Sequence, residues 1–203
     1  MFAQEELGNG MLFPKFENGT VVFKNGVRSL SSLNYSKIQQ EMLFQDADST
    51  IMAIANPNEV LVVIIGERRF FPISSRGIFY EEVPAGTGSF FVQWKATMLS
   101  EGKASGYGGY SSTSSITSYG TYYSGSGNVV NLHPDEKFKL KNNYFYYLKS
   151  GKNYKRFSSA KTLGKLFKGQ ESKIEKFANE QSIDFSNIDD ITRIVEYGFS
   201  LIN

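Results

Sequence analysis

The only histidine of this chain, His133, stands two residues before Asp135, and a serine nucleophile would complete a hydrolytic set. No Gly-x-Ser-x-Gly turn is present to offer that serine, and His133-Pro134-Asp135 reads as a plain turn. Asp46 and Asp48 share the spacing of the first ligands of a calcium loop. The sixth position of that loop is Ile51 rather than glycine, and the twelfth is Pro57 rather than glutamate, so a polar hairpin turn is the better reading. Glu81-Glu82 and Asp189-Asp190 are adjacent acid pairs. Neighbours on a strand point to opposite faces, so Glu81 and Glu82 are not expected to share one site. A hydrolase whose carboxylates come from distant positions stays open as an alternative. The chain has no cysteine, which excludes disulfides, thiolate metal ligands and a cysteine nucleophile. Nothing calls for a metal or an organic cofactor: the glycine-rich stretch lacks the Gly-Lys-Ser/Thr of a phosphate loop.

Two patterns point to binding rather than catalysis. Residues 137–170 hold Lys137, Lys139, Lys141, Lys149, Lys152, Lys155, Arg156, Lys161, Lys165 and Lys168 with no acid, and Tyr144, Phe145, Tyr146, Tyr147 and Tyr154 interleave with them. Cations beside stackable rings suit single-stranded nucleic acid, an anionic membrane surface or an anionic glycan. Lys149, Lys152, Lys155 and Arg156 are the candidate polyanion contacts. The plainer reading is preferred, because lysines commonly guard a sheet edge and the net charge is only +2. Nucleic acid is not the expected partner.

The second pattern is residues 104–134, which carry no charged side chain and are dominated between 105 and 127 by Ser, Gly, Tyr and Thr. Such composition brings little apolar surface to offset the entropy of ordering. Tyr107, Tyr110, Tyr119, Tyr122 and Tyr123 nonetheless supply flat rings with a hydroxyl. The expectation is a mobile loop, or a strand pair that orders against a glycan or protein partner through these tyrosines.

The elements that position these groups read mainly as strands. With 17 Phe and 12 Tyr, the chain favours β-structure. Thr20-Val21-Val22-Phe23-Lys24 turns at Asn25-Gly26 into Val27-Arg28-Ser29-Leu30, which predicts a type I′ hairpin. Residues 38–44 and 50–55 form the next pair about Asp46-Ala47-Asp48-Ser49. Val60-Leu61-Val62-Val63-Ile64-Ile65 is a central strand, and Gly66-Glu67-Arg68-Arg69 turns into Phe70-Phe71-Pro72-Ile73. Pro84-Ala85-Gly86-Thr87-Gly88 reads as a loop. Phe90, Val92, Trp94, Ala96 and Met98 alternate with Phe91, Gln93, Lys95 and Thr97 as one long strand. Residues 128–132 re-enter the sheet, and Ser150-Gly151-Lys152 joins a last hairpin. Beyond it, Ser158 or Ser159 caps a helix carrying Leu163, Leu166 and Phe167, which Gly169 stops. Ile174, Phe177 and Ala178 form a second helical face. Ile191, Ile194 and Val195 form a third, opened by Asp189-Asp190 and ended by Gly198.

These readings give an α+β protein. Residues 1–157 form a curved antiparallel β-sheet or small barrel with the Gly/Ser/Tyr-rich insert at 105–127, and residues 158–203 form a short helical region packed on itself or on the sheet. No apolar run reaches the length of a bilayer span. Phe2-Ala3-Gln4 before Glu5-Glu6 matches the tail of a secretory signal around its cleavage site, with an ordinary N-terminus as the other reading.

Gly19-Thr20-Val21-Val22-Phe23 with Asn25-Gly26, Leu33-Asn34-Tyr35 leading to Met42-Leu43-Phe44, Tyr146-Tyr147-Leu148 before Leu166-Phe167, Ile183-Asp184-Phe185, and residues 191–197 resemble an uncharacterised group of exported proteins of Bacteroidota. The resemblance implies a cleaved signal and a periplasmic, outer-membrane-associated or secreted location, with the cytoplasm as the alternative, and it carries over no active-site residue. The function expected is a non-enzymatic secreted or envelope-associated binding or structural protein.

Overall fold

The computed structural model describes residues 10–73, 77–100, 121–123, 129–131 and 138–202. Strands come first: β1 (Glu17–Phe23), β2 (Arg28–Ser36), β3 (Glu41–Gln45), β4 (Ile51–Ala53), β5 (Val60–Ile65), β6 (Arg68–Pro72), β7 (Phe79–Ala85), β8 (Gly88–Gln93) and β9 (Ala96–Ser100). The short pair β10 (Thr121–Tyr123) and β11 (Val129–Asn131) follows, then β12 (Phe138–Asn142), β13 (Phe145–Ser150) and β14 (Asn153–Phe157). Helices α1 (Ala160–Gly164), α2 (Glu171–Glu180) and α3 (Ile188–Ser200) close the chain.

Ten strands form one antiparallel sheet in the order β14-β13-β8-β7-β6-β5-β1-β2-β3-β4. The sheet is curved: the β2–β3 turn reaches the start of β9, just beyond β8, where the Ala96 amide donates to the Lys37 carbonyl at 2.9 Å. It is open, not a small barrel. β4 has three residues, and β14 runs directly into the cap of α1, so neither end offers the other a matching ladder.

Glycine sets the turns. Gly66, Gly86 and Gly151 have φ of 59°, 59° and 62° and open two-residue loops between β5 and β6, β7 and β8, and β13 and β14. Gly-first loops of this kind are of type II′, whose twist matches the flanking strands. The stretch read as a loop at 84–88 is therefore mostly strand with a tight turn. The Asn25-Gly26 hairpin is real, but only Gly26 takes positive φ, at 86°. The Gly26 amide donates to the Phe23 carbonyl at 3.0 Å, and Phe23 N–H bonds the Val27 carbonyl at 2.9 Å. That is a three-residue loop with a glycine bulge rather than type I′.

The long strand expected from Phe90 onward breaks at Trp94-Lys95. β8 pairs with β7 and β13, whereas β9 leaves the sheet and pairs with β12. Residues 129–131 likewise do not rejoin the sheet, because β11 pairs with β10.

A single buried cluster runs across the inner face of the sheet and into the helices, including Leu33, Tyr35, Phe70, Phe79, Phe90, Phe157, Leu163, Ile174, Ile191 and Ile194. The helices thus pack both on one another and on the sheet. Ser159 caps α1: its Oγ accepts the Thr162 amide at 3.2 Å while Thr162 Oγ1 accepts the Ser159 amide at 2.9 Å. Asn187 Oδ1 accepts the Asp189 amide at 2.8 Å and opens α3. Gly198 does not end α3, which continues to Ser200. Its role is close approach, since a Cβ there would lie 2.6 Å from the Phe167 ring.

Candidate binding face

Strand alternation divides the aromatic residues of β6, β7, β8 and β13 between two faces. Phe70, Phe79, Phe90 and Tyr146 point inward, and their chain neighbours Phe71, Tyr80, Phe91 and Tyr147 point outward. The outward rings meet one another across the ladders. Tyr80 stacks on Tyr147 with centroids 4.7 Å apart, and Tyr154 of β14 stands at right angles to Tyr80 at 5.6 Å and to Phe91 at 4.9 Å. Phe71 meets Phe91 edge-on at 6.1 Å. Tyr80, Tyr147 and Tyr154 are half-buried, and none of these outward rings belongs to the core cluster.

Polar groups are threaded through this face. The Tyr147 hydroxyl donates to Gln93 Oε1 at 2.8 Å, and Gln93 Nε2 donates to Gln40 Oε1. Burial first, then a hydrogen bond to Tyr147, holds the Tyr80 pKa well above the usual phenol range. Burial and the Glu82 charge raise Tyr154. Three cations border the rings. Arg69 lies over Phe71 at 5.4 Å and pairs with Glu82 at 3.2 Å. Lys149 lies over Tyr154 at 6.0 Å, and Arg156 over Phe145 at 4.0 Å. Among the described residues, Lys149 and Arg156 have no carboxylate partner.

No family model, no curated protein and no solved structure matches this chain. The structure splits the four basic residues singled out in the sequence. Lys149 and Arg156 share the outer face with Tyr154 and Tyr147, their cross-strand partners. Lys155 points to the opposite face, and Lys152 sits in the Gly151-Lys152 turn. Tyr107, Tyr110 and Tyr119 lie outside the described residues, as do His133 and Asp135. Tyr122 and Tyr123 are placed in β10.

Glu81 and Glu82 do not share a site. Glu81 points inward and takes Arg68 Nε and Nη2, both at 2.6 Å, together with the Trp94 indole N–H. Glu82 points outward to Arg69 and to the Ser89 hydroxyl. Asp46 Oδ1 accepts the amides of Asp48 and Thr50, as a hairpin turn requires. No group of three His, Cys, Asp or Glu that would hold a metal occurs among the described residues. Glu41, Met42, Ile54, Ala55, Pro57, Gly77 and Phe79 line a pocket of about 170 Å³, below the roughly 300 Å³ at which small-molecule sites begin.

Sequence reasoning missed Arg69, Phe71, Tyr80 and Phe91 as members of a site. The signal that finds them is the repeated aromatic doublet, Phe70-Phe71, Phe79-Tyr80, Phe90-Phe91 and Tyr146-Tyr147. On a strand each doublet places one ring in the core and one outside it.

Proposed function

We propose that this protein is a non-enzymatic binding protein of the cell envelope or exterior, and that the outer face of β6, β7, β8, β13 and β14 binds glycan. One observation carries the reading: three half-buried tyrosines gathered about the buried Phe91 lie on the sheet face opposite the helices, interlaced with amide and hydroxyl groups. Rings that present both apolar area and a hydroxyl suit the alternating apolar and polar surface of a sugar chain. The five tyrosines Tyr107, Tyr110, Tyr119, Tyr122 and Tyr123 belong to the same proposal as additional contacts. The exported location rests on Phe2-Ala3-Gln4 and on the resemblance to exported Bacteroidota proteins, and mass spectrometry of the mature N-terminus tests it.

Retention on a panel of immobilised polysaccharides tests the binding function. The native chain is expected to be retained, and Tyr154→Ser with Tyr80→Ser to be released early while its circular dichroism stays unchanged. Replacing Tyr107, Tyr110, Tyr119, Tyr122 and Tyr123 by serine should also weaken retention. Full retention of both folded variants would remove the tyrosines from the function.

A further inference from the structure

The outer face also specifies the charge of its occupant, an inference that rests on the glycan reading above. Lys149 and Arg156 are diagonal neighbours on β13 and β14, pointing the same way from directly paired strands. Diagonal positions on paired strands sit about 7–8 Å apart, so one polyanion lying across the two strands can meet both charges. Among the described residues, neither has a carboxylate partner, and each is held over a ring, Lys149 over Tyr154 and Arg156 over Phe145. Arg69 adds a third cation beside Phe71, and Glu82 is the acid set among these rings, already occupied by Arg69 and Ser89.

We propose that this face binds an acidic polysaccharide, with Lys149 and Arg156 meeting its carboxylates and the outward edges of the Tyr80, Tyr147 and Tyr154 cluster, whose faces cover one another, lying against its sugar chain. Single-stranded nucleic acid fits less well. Base stacking needs splayed rings with free faces. Here Tyr80 and Tyr147 cover each other, Tyr154 is wedged against Tyr80 and Phe91, and Lys149 and Arg156 lie over Tyr154 and Phe145.

Titration calorimetry with polygalacturonate, with the same polymer after carboxyl reduction, and with oligo-dT tests the proposal. Polygalacturonate should bind at least about ten-fold more tightly than the reduced polymer, and its affinity should fall with added salt. Lys149→Gln with Arg156→Gln should lose that ten-fold preference, whereas Lys152→Gln with Lys155→Gln, off the face, should keep it. Equal affinity for the reduced polymer would overturn the charge inference and leave the glycan reading standing. Equal losses in the two double variants would show general basicity rather than this face, and would also overturn it. Tighter binding of oligo-dT would assign the face to nucleic acid, and binding of no polymer would overturn the glycan reading itself.

Discussion

The two faces of the sheet carry nearly the same residue types and behave differently. Arg68 and Arg69 are consecutive on β6 and Glu81 and Glu82 consecutive on β7; the register sets Arg69 directly opposite Glu82 and Phe70 opposite Glu81, which leaves Arg68 diagonal to Glu81 on the inner face. Inside, Arg68 grips Glu81 through two hydrogen bonds of 2.6 Å, with the guanidinium over the rings of Phe13, Phe70 and Trp94. Outside, Arg69 meets Glu82 at 3.2 Å with side chains 54% and 23% exposed, against 33% and 7% for the inner pair. The aromatic doublets repeat the contrast. Composition alone does not separate core from surface here; the pleat and the register do. On the outer face the rings are half-buried, and Phe91 buried, against one another rather than under helices.

The sharpest way to break this contrast is to remove one ring from each face. Phe90 is fully buried between sheet and helices, and Phe90→Ala should cost about 3–5 kcal/mol through lost burial and a residual cavity. Tyr154→Ala on the outer face should cost only about 1 kcal/mol, mostly its contacts with Tyr80 and Phe91. Urea midpoints at constant m-value read both, and equal losses would mean that the outer face is a second core. The ion pairs give the next largest difference. Glu81→Ala leaves the Arg68 guanidinium without its carboxylate and should cost about 3 kcal/mol, while Glu82→Ala should cost less than about 1 kcal/mol. Arg68→Met combined with Glu81→Leu should recover part of the inner loss, because removing both charges removes the unpaired one while the Trp94 indole N–H still loses its acceptor. A double variant as unstable as Glu81→Ala would show that packing around Arg68, rather than charge pairing, holds this site.

A third and smaller test measures how tightly the helices close the inner face. In Gly198→Ala the added methyl meets the Phe167 ring at 2.6 Å, so overpacking of roughly 1–3 kcal/mol opposes a helix-propensity gain of about 1 kcal/mol. A net loss near 1 kcal/mol in thermal or urea unfolding is expected. A gain would mean that Phe167 moves aside freely.

Much of the fold was legible because it is written in short-range pattern. The hairpins at Asn25-Gly26, Asp46-Ala47-Asp48-Ser49, Gly66-Glu67 and Gly151-Lys152 all form, and so do three helices, with Ser159 and Asp189-Asp190 at the starts of the first and third, although α1 ends at Gly164 and leaves Leu166, Phe167 and the expected stop at Gly169 in the turns beyond it. Turn chemistry and helical spacing involve neighbours only, so one sequence suffices. The errors came where a distant partner decides. Gly198 reads as a stop until Phe167 is known to press on it. Residues 90–98 read as one strand until β12 claims the second half. The binding face was half legible: Tyr147, Tyr154, Lys149 and Arg156 stood out by composition, but Tyr80 and Phe91 join them only through the pairing of β7 with β8 and of β8 with β13.

The smallest expected effect concerns Glu41, at the pocket beside Met42 and Phe79, away from both the core ion pair and the outer rings. Partial burial raises its pKa above that of an ordinary glutamate, because the charged form loses hydration on folding. The sign of the linkage follows. A carboxyl whose folded pKa lies above its unfolded one favours the folded state while protonated. That contribution is complete below the unfolded pKa, near about 4.3, and is lost as pH rises through the folded value. Glu41→Gln mimics the protonated form at every pH. The variant should match the native chain in acid and exceed it at neutral pH, by less than about 1 kcal/mol because the carboxyl is only half-buried. Parallel urea titrations across that range read the difference directly. Curves that stay superimposed into neutral pH would show that solvent reaches Glu41 as freely in the folded chain as in the unfolded one.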